Sequence, residues 1–151
     1  MAEGSIRERL KRDVKQLEIH MWRALRDSGP AVFEYTTDDC TFAIDGMVLD
    51  KDSKPTLKEY MEKTYKPYDK YEMHDIRIIE LDLMAASAVY KVTASRLISD
   101  HEPPEKYTLL CASSWAQGAD AEWRLKMHAE GEAFETREDN WRTLRPSDSR
   151  I

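Results

Sequence analysis

Apolar residues recur at Ile6, Leu10, Val14, Leu17, Met21 and Leu25. Spacings of three and four put them on one face and predict an amphipathic helix of roughly five or six turns. Ser5 and Glu8 have the spacing of a capping box at its start. Ser28-Gly29-Pro30 ends that helix and opens a short second one over 31–35. Thr37-Asp38-Asp39 reads as a turn, residues 40–44 as a short strand, and Asp45-Gly46 as a hairpin turn before 47–49. A polar loop, 50–55, enters a third helix with Leu57, Tyr60, Met61 and Thr64 on one face, and Pro67 stops it. Four strand-like runs follow at 71–81, 85–98, 106–117 and 121–129, with a polar loop at 99–104.

Helices first and a long strand meander last is an α+β pattern, with the helices covering one face of the sheet. Residues 1–132 are expected to form one domain, and 133–151 a charged tail in which Trp141 stands out. Apolar residues occur in both strand parities, as in Ile76 and Ile78 against Ile79 and Leu81, or Val89 beside Tyr90. A sheet apolar on both faces is covered on both, so a homodimer through the outer sheet face is expected.

The net charge of -6 over 151 residues disfavours nucleic acid and anionic membranes as partners, because both attract basic surfaces. No apolar run is long enough to span a bilayer, and the N-terminus runs straight into charged sequence, so a cytoplasmic location is the expectation. Cys40 and Cys111 sit in apolar runs and read as buried thiols. His20, His74, His101 and His128 are scattered, with no zinc-type spacing, and no metal site is expected.

Leu17-Glu18, followed by Trp22-Arg23-Ala24-Leu25 and Asp27, resembles the first helix of SnoaL-like and ketosteroid isomerase-like proteins in the nuclear transport factor 2-like superfamily. Residues 37–42 with Asp45-Gly46-Met47-Val48-Leu49 are similar to their first hairpin. Ser113-Ser114-Trp115 and Trp123-Arg124 through His128 are similar to the closing hairpin of a small-domain branch. The resemblance covers residues 7–132. It implies a cone, in which a strongly curved antiparallel sheet wraps three N-terminal helices, often around a ligand cavity. The superfamily spans isomerases, cyclases, epoxide hydrolases, dehydratases and non-catalytic binding or assembly domains, so the fold does not choose an activity. Ketosteroid isomerases carry a base soon after the first strand; the nearby carboxylate here is Asp45, which the turn already explains. The residue after the last-strand His is often Gln in the branch; here it is Ala129.

The first functional expectation is a domain binding a small hydrophobic molecule, without a cofactor, in an apolar cavity lined by Trp22, Tyr60, Tyr65, Tyr90 and Trp115. The second is a cofactor-independent isomerase, cyclase or dehydratase acting on a polyketide or terpenoid, since such chemistry needs a positioned base and an oxyanion donor. His74, Asp75 and His128 are the candidate bases, and Tyr60, Tyr65 and Tyr90 the candidate donors. The third is a homodimeric assembly domain. Glu18 lies one turn from Trp22 and reads as a solvated helix residue rather than a buried acid. Strict alternation puts Trp123, Leu125 and Met127 on one face and Arg124, Lys126 and His128 on the other, which predicts His128 outside the cavity unless a bulge re-aims it.

Overall fold

The computed structural model describes residues 2–133, and their side chains from residue 6 onward. The expected tail, with Trp141, lies outside the described residues apart from residue 133. The long helix is α1 (Ala2–Asp27). It begins before Ser5, so that residue is interior and not the cap. A 3-10 helix (Gly29–Glu34) follows, then strands β1 (Thr36–Ile44) and β2 (Met47–Leu49). The third helix, α2 (Leu57–Lys63), starts at a capping box. Thr56 Oγ1 accepts from Glu59 N at 3.2 Å, and Glu59 Oε1 accepts from Thr56 N at 3.3 Å. Strands β3 (Lys70–Asp82), β4 (Ala85–Arg96), β5 (Glu105–Gln117) and β6 (Trp123–Glu132) complete the order.

The six strands form one sheet in the order β2-β1-β6-β5-β4-β3. The meander β3 to β6 is antiparallel as expected, but β1 runs parallel to β6, so the sheet is mixed. Residues 37–39, expected as a turn, belong to β1, where Thr36 pairs with Leu125 of β6. Long-range pairing overrides the local turn signal there. The turn after β1 holds: Asp45 and Gly46 have φ of 53° and 76°, the left-handed pair that a tight hairpin requires.

Helix α1 lies against β3 and β4. Leu10, Val14, Met21, Trp22 and Leu25 are buried there, each apolar side chain contributing about 1.5–3 kcal/mol. On the facing strand, Ala86 and Ala88 are fully buried, and their small size leaves room for the helix. The 3-10 helix is pressed onto α2, because a Cβ on Gly29 would lie 2.6 Å from the Met61 carbonyl oxygen. Two of the sheet's register shifts bear on the site. In β3, positions 74 and 77 face 91 and 89 of β4, one extra residue, and Asp75 there has φ 55°. In β6, positions 125 and 127 face adjacent residues 115 and 114 of β5, which leaves Lys126 as an extra residue. None of the described helices is long and apolar enough to cross a membrane.

Candidate functional site

The extra residue in β6 decides where His128 points. Leu125 faces the core, Lys126 faces solvent, and His128 then faces the core again. His128 is fully buried, contrary to the alternation reading, and its ring lies 6.0 Å from Trp22 and 5.4 Å from Phe42 between centroids. Its cross-strand neighbour is Ser113, also fully buried. The two are joined by a 2.7 Å contact between His128 Nδ1 and Ser113 Oγ. On its other side, His128 Nε2 meets Glu130 Oε2 at 2.8 Å.

Glu18 is fully buried as well, which corrects the solvated reading. Ser113 Oγ lies 2.5 Å from Glu18 Oε2, and Trp115 Nε1 donates to Glu18 Oε1 at 2.7 Å. Tyr90 donates its hydroxyl proton to Glu18 and accepts from Trp22 Nε1 at 2.6 Å. Burial, reinforced by the Glu18 charge, pushes the Tyr90 phenol well above its ordinary range, so it stays a donor. The carboxylate thus has three neighbours with protons to give, which meets the requirement that a buried charge be hydrogen-bonded.

An aromatic layer sits beside this cluster. Trp22 lies 6.2 Å from Tyr68 and 5.3 Å from Tyr71, and Tyr68 lies 5.8 Å from Tyr107. The Arg96 guanidinium caps it, 4.0 Å above the Tyr68 ring and 5.6 Å from that of Tyr107. Two buried polar atoms near it, Tyr65 Oη and Arg96 Nε, have no hydrogen-bond partner among the described residues. Burial raises the Tyr65 phenol far above its ordinary range, with Glu130 adding to the rise and Arg96 opposing it. Tyr60 donates to Asp45 at 2.5 Å, and burial with that bond pushes its phenol up to about 12. A groove of about 800 Å³ opens beside the layer; Tyr71 and Tyr107 line it together with Arg26, Asp69, Lys70 and Lys106.

The structure therefore brings Trp22, Tyr90, Trp115 and His128 into one sealed cluster, with Tyr65 beside the aromatic layer and Tyr60 tied to the first hairpin turn. It does not bring in His74 or Asp75. His74 Nε2 bonds Thr93 Oγ1 at 2.9 Å in an exposed setting, and Asp75 is exposed at the β3 bulge. Sequence reasoning missed Ser113, Glu130 and Arg96. Glu130 and His128 share a face at the two-residue strand period, a signal present in the sequence. Among the described residues no cluster of three His, Cys, Asp or Glu is placed to hold a metal.

No family model matches the chain, and no curated protein matches it. Solved structures match along most of its length. The S. rosetta CaMKII hub is similar at 15% identity, over 82% of this chain and 96% of that one, with a TM-score of 0.64. A ketosteroid isomerase-like protein from Erwinia carotovora atroseptica is similar at 14% identity, over 80% and 93%, with a TM-score of 0.64. A protein assigned as a scytalone dehydratase from Novosphingobium aromaticivorans is similar at 13% identity, over 91% and 94%, with a TM-score of 0.66. The chain has the nuclear transport factor 2-like cone fold, with an unclosed, curved, mixed sheet. The three similar proteins are thus an isomerase-like protein, an assigned dehydratase and a hub domain.

Proposed function

We propose that the protein is a small-molecule-binding domain. Its ligand enters the groove, lies against Tyr71 and Tyr107 at the open edge of the aromatic layer, and presents an oxygen acceptor to Tyr65 Oη or Arg96 Nε. The observation that carries this reading is the pair of buried donors, Tyr65 Oη and Arg96 Nε, that have no partner among the described residues and lie near the Tyr68 ring. Buried polar groups are nearly always paired in the working state of a protein, so an unpaired donor calls for an explanation. An aryl carboxylate or aryl ketone has the required shape and chemistry.

The test is a thermal-shift and calorimetric titration with such compounds, on the wild type and Tyr65→Phe. A ligand at 100 times its Kd stabilises the folded state by about 2.7 kcal/mol. Removing one hydroxyl that bonds only to ligand weakens binding about tenfold, the equivalent of about 1.4 kcal/mol, and leaves the free protein as stable as before. Destabilisation of the free protein by Tyr65→Phe, or binding unaffected by it, contradicts the reading.

A second reading, compatible with the first, is homodimerisation through the outer sheet face. It is supported by a groove of about 550 Å³ on that face, where Val89, Leu110, Ala112 and Ala129 lie with Asp75, Arg77 and Lys91. Leu110 is 59% exposed. The face carries Asp75 beside Arg77 and Lys91, so a two-fold pairing of identical faces can set opposite charges against each other, and a second copy of this chain is the proposed partner. Light scattering at micromolar concentration should give a dimer, and Leu110→Glu a folded monomer. A wild-type monomer contradicts it. Acid–base catalysis draws support from His128 alone, the one candidate base that faces the core.

A further inference from the structure

We infer that Glu18, Ser113, His128 and Glu130 form a buried proton-binding site that holds one proton more than a neutral imidazole and two ionised carboxylates would. The inference goes beyond the ligand reading and stands with or without a ligand.

The argument is a count of hydrogens. Three short contacts link the four residues: Glu130 Oε2 to His128 Nε2 at 2.8 Å, His128 Nδ1 to Ser113 Oγ at 2.7 Å, and Ser113 Oγ to Glu18 Oε2 at 2.5 Å. Each needs one hydrogen between its heavy atoms. The serine hydroxyl supplies one and a neutral imidazole one. The third is the extra proton. Without it, one contact sets two bare lone pairs against each other where water cannot intervene, because Ser113, His128 and Glu18 are fully buried.

The proton has three places to sit. The imidazole can carry both ring hydrogens between two carboxylates. Glu130 can carry it and donate to Nε2, with the ring hydrogen on Nδ1. Glu18 can carry it and donate to Ser113, which then donates to Nδ1 while Nε2–H donates to Glu130. A shift of hydrogens along the same three contacts interconverts these forms, and each leaves a net charge of -1 on the set.

The other groups facing the set do not replace that proton. Trp22 on α1 and Phe42 on β1 are uncharged, and burial keeps the Tyr90 phenol on β4 and the Cys111 thiol on β5 protonated. Tyr65 and Tyr68 feel the Glu130 charge and are also kept neutral, mainly by burial. Arg96 stacks on Tyr68. The outer end of the chain, Glu130, thus abuts the aromatic layer, while its inner end is sealed.

The experiment uses the full chain at neutral pH and reads two signals: the His128 ring ¹⁵N shifts, and the infrared carboxylic-acid C=O band. The expected result is either a doubly protonated ring without a buried acid band, or a neutral ring with one acid band that disappears in Glu18→Gln or Glu130→Gln. In Glu130→Gln the amide donates to Nε2, so the ring should become neutral with its hydrogen on Nδ1, and no acid band should remain. A neutral wild-type ring with no acid band overturns the inference, as does a doubly protonated ring alongside such a band. The wild-type measurement decides even if a variant does not fold.

Discussion

Glu18→Ala removes the acceptor at the centre of the cone and strands the groups that pointed at it. Ser113 can turn its hydrogen to His128 Nδ1, 2.7 Å away. Tyr90 keeps the bond it accepts from Trp22 but has nowhere to send its own hydrogen. Trp115 Nε1 loses the partner it holds at 2.7 Å. Two buried donors are therefore orphaned, at about 1–3 kcal/mol each. Relief from burying a charge offsets part of this, and the space left by the side chain adds to it. The net expectation is a loss of roughly 2–5 kcal/mol from a domain whose total is on the order of 5–15. Glu18→Gln keeps the shape and one carbonyl acceptor, and should lose only about 1–2 kcal/mol. Urea unfolding followed by circular dichroism reads both. With a slope of about 2 kcal/mol per molar urea, the alanine variant's midpoint should fall by roughly 1–2.5 M. A Glu18→Ala loss below about 1 kcal/mol, or one smaller than that of Glu18→Gln, refutes the reasoning, because the donors would then not depend on this carboxylate.

Other outcomes follow from the same geometry. Gly29→Ala forces a Cβ to 2.6 Å from the Met61 carbonyl oxygen, so it should cost about 1–3 kcal/mol and lower Tm by several degrees; an unchanged Tm contradicts the close packing. Burial pushes the Cys40 thiol up to about 12 and Cys111 higher still. Neither should react with iodoacetamide at pH 8 until the protein unfolds, and prompt alkylation of the native state counts against this packing. The Arg124 guanidinium, bonding Asp120 at 2.8 and 3.2 Å, together with the Glu122 backbone N–H, holds the Asp120 carboxyl down at about 2. The pair's stabilising effect is present above the ordinary carboxylate range and is lost as pH falls through about 2. Both partners are exposed, so the effect on stability is small. NMR titration should show the Asp120 value rise toward normal in Arg124→Gln.

Much of this fold was legible because long periodic segments announce themselves. The stripe on α1 and the meander from β3 to β6 follow directly from spacing, and Asp45-Gly46 gave the first turn. The parallel β1–β6 pair was hidden, because it joins residues about 90 positions apart and depends on tertiary packing. The site was harder for two specific reasons. Strict alternation puts His128 on the wrong face because one extra residue at Lys126 reverses the strand's parity, and nothing in the local composition marks that bulge. Glu18 reads as solvated because a lone Glu on a helix usually is. Its position offered a signal, since it lies four residues after Val14 and three before Met21, inside the buried stripe. Its partners, Tyr90, Ser113 and Trp115, come from two other strands, and only the assembled sheet brings them together.

The most direct test is a crystal structure of the protein with the aryl carboxylate or ketone that raises its Tm most. The account predicts that compound in the groove, stacked against Tyr71 and Tyr107, with an oxygen within hydrogen-bond distance of Tyr65 Oη or Arg96 Nε. A compound bound on the outer sheet face, or ordered water bonded to both donors with the groove empty, would contradict it.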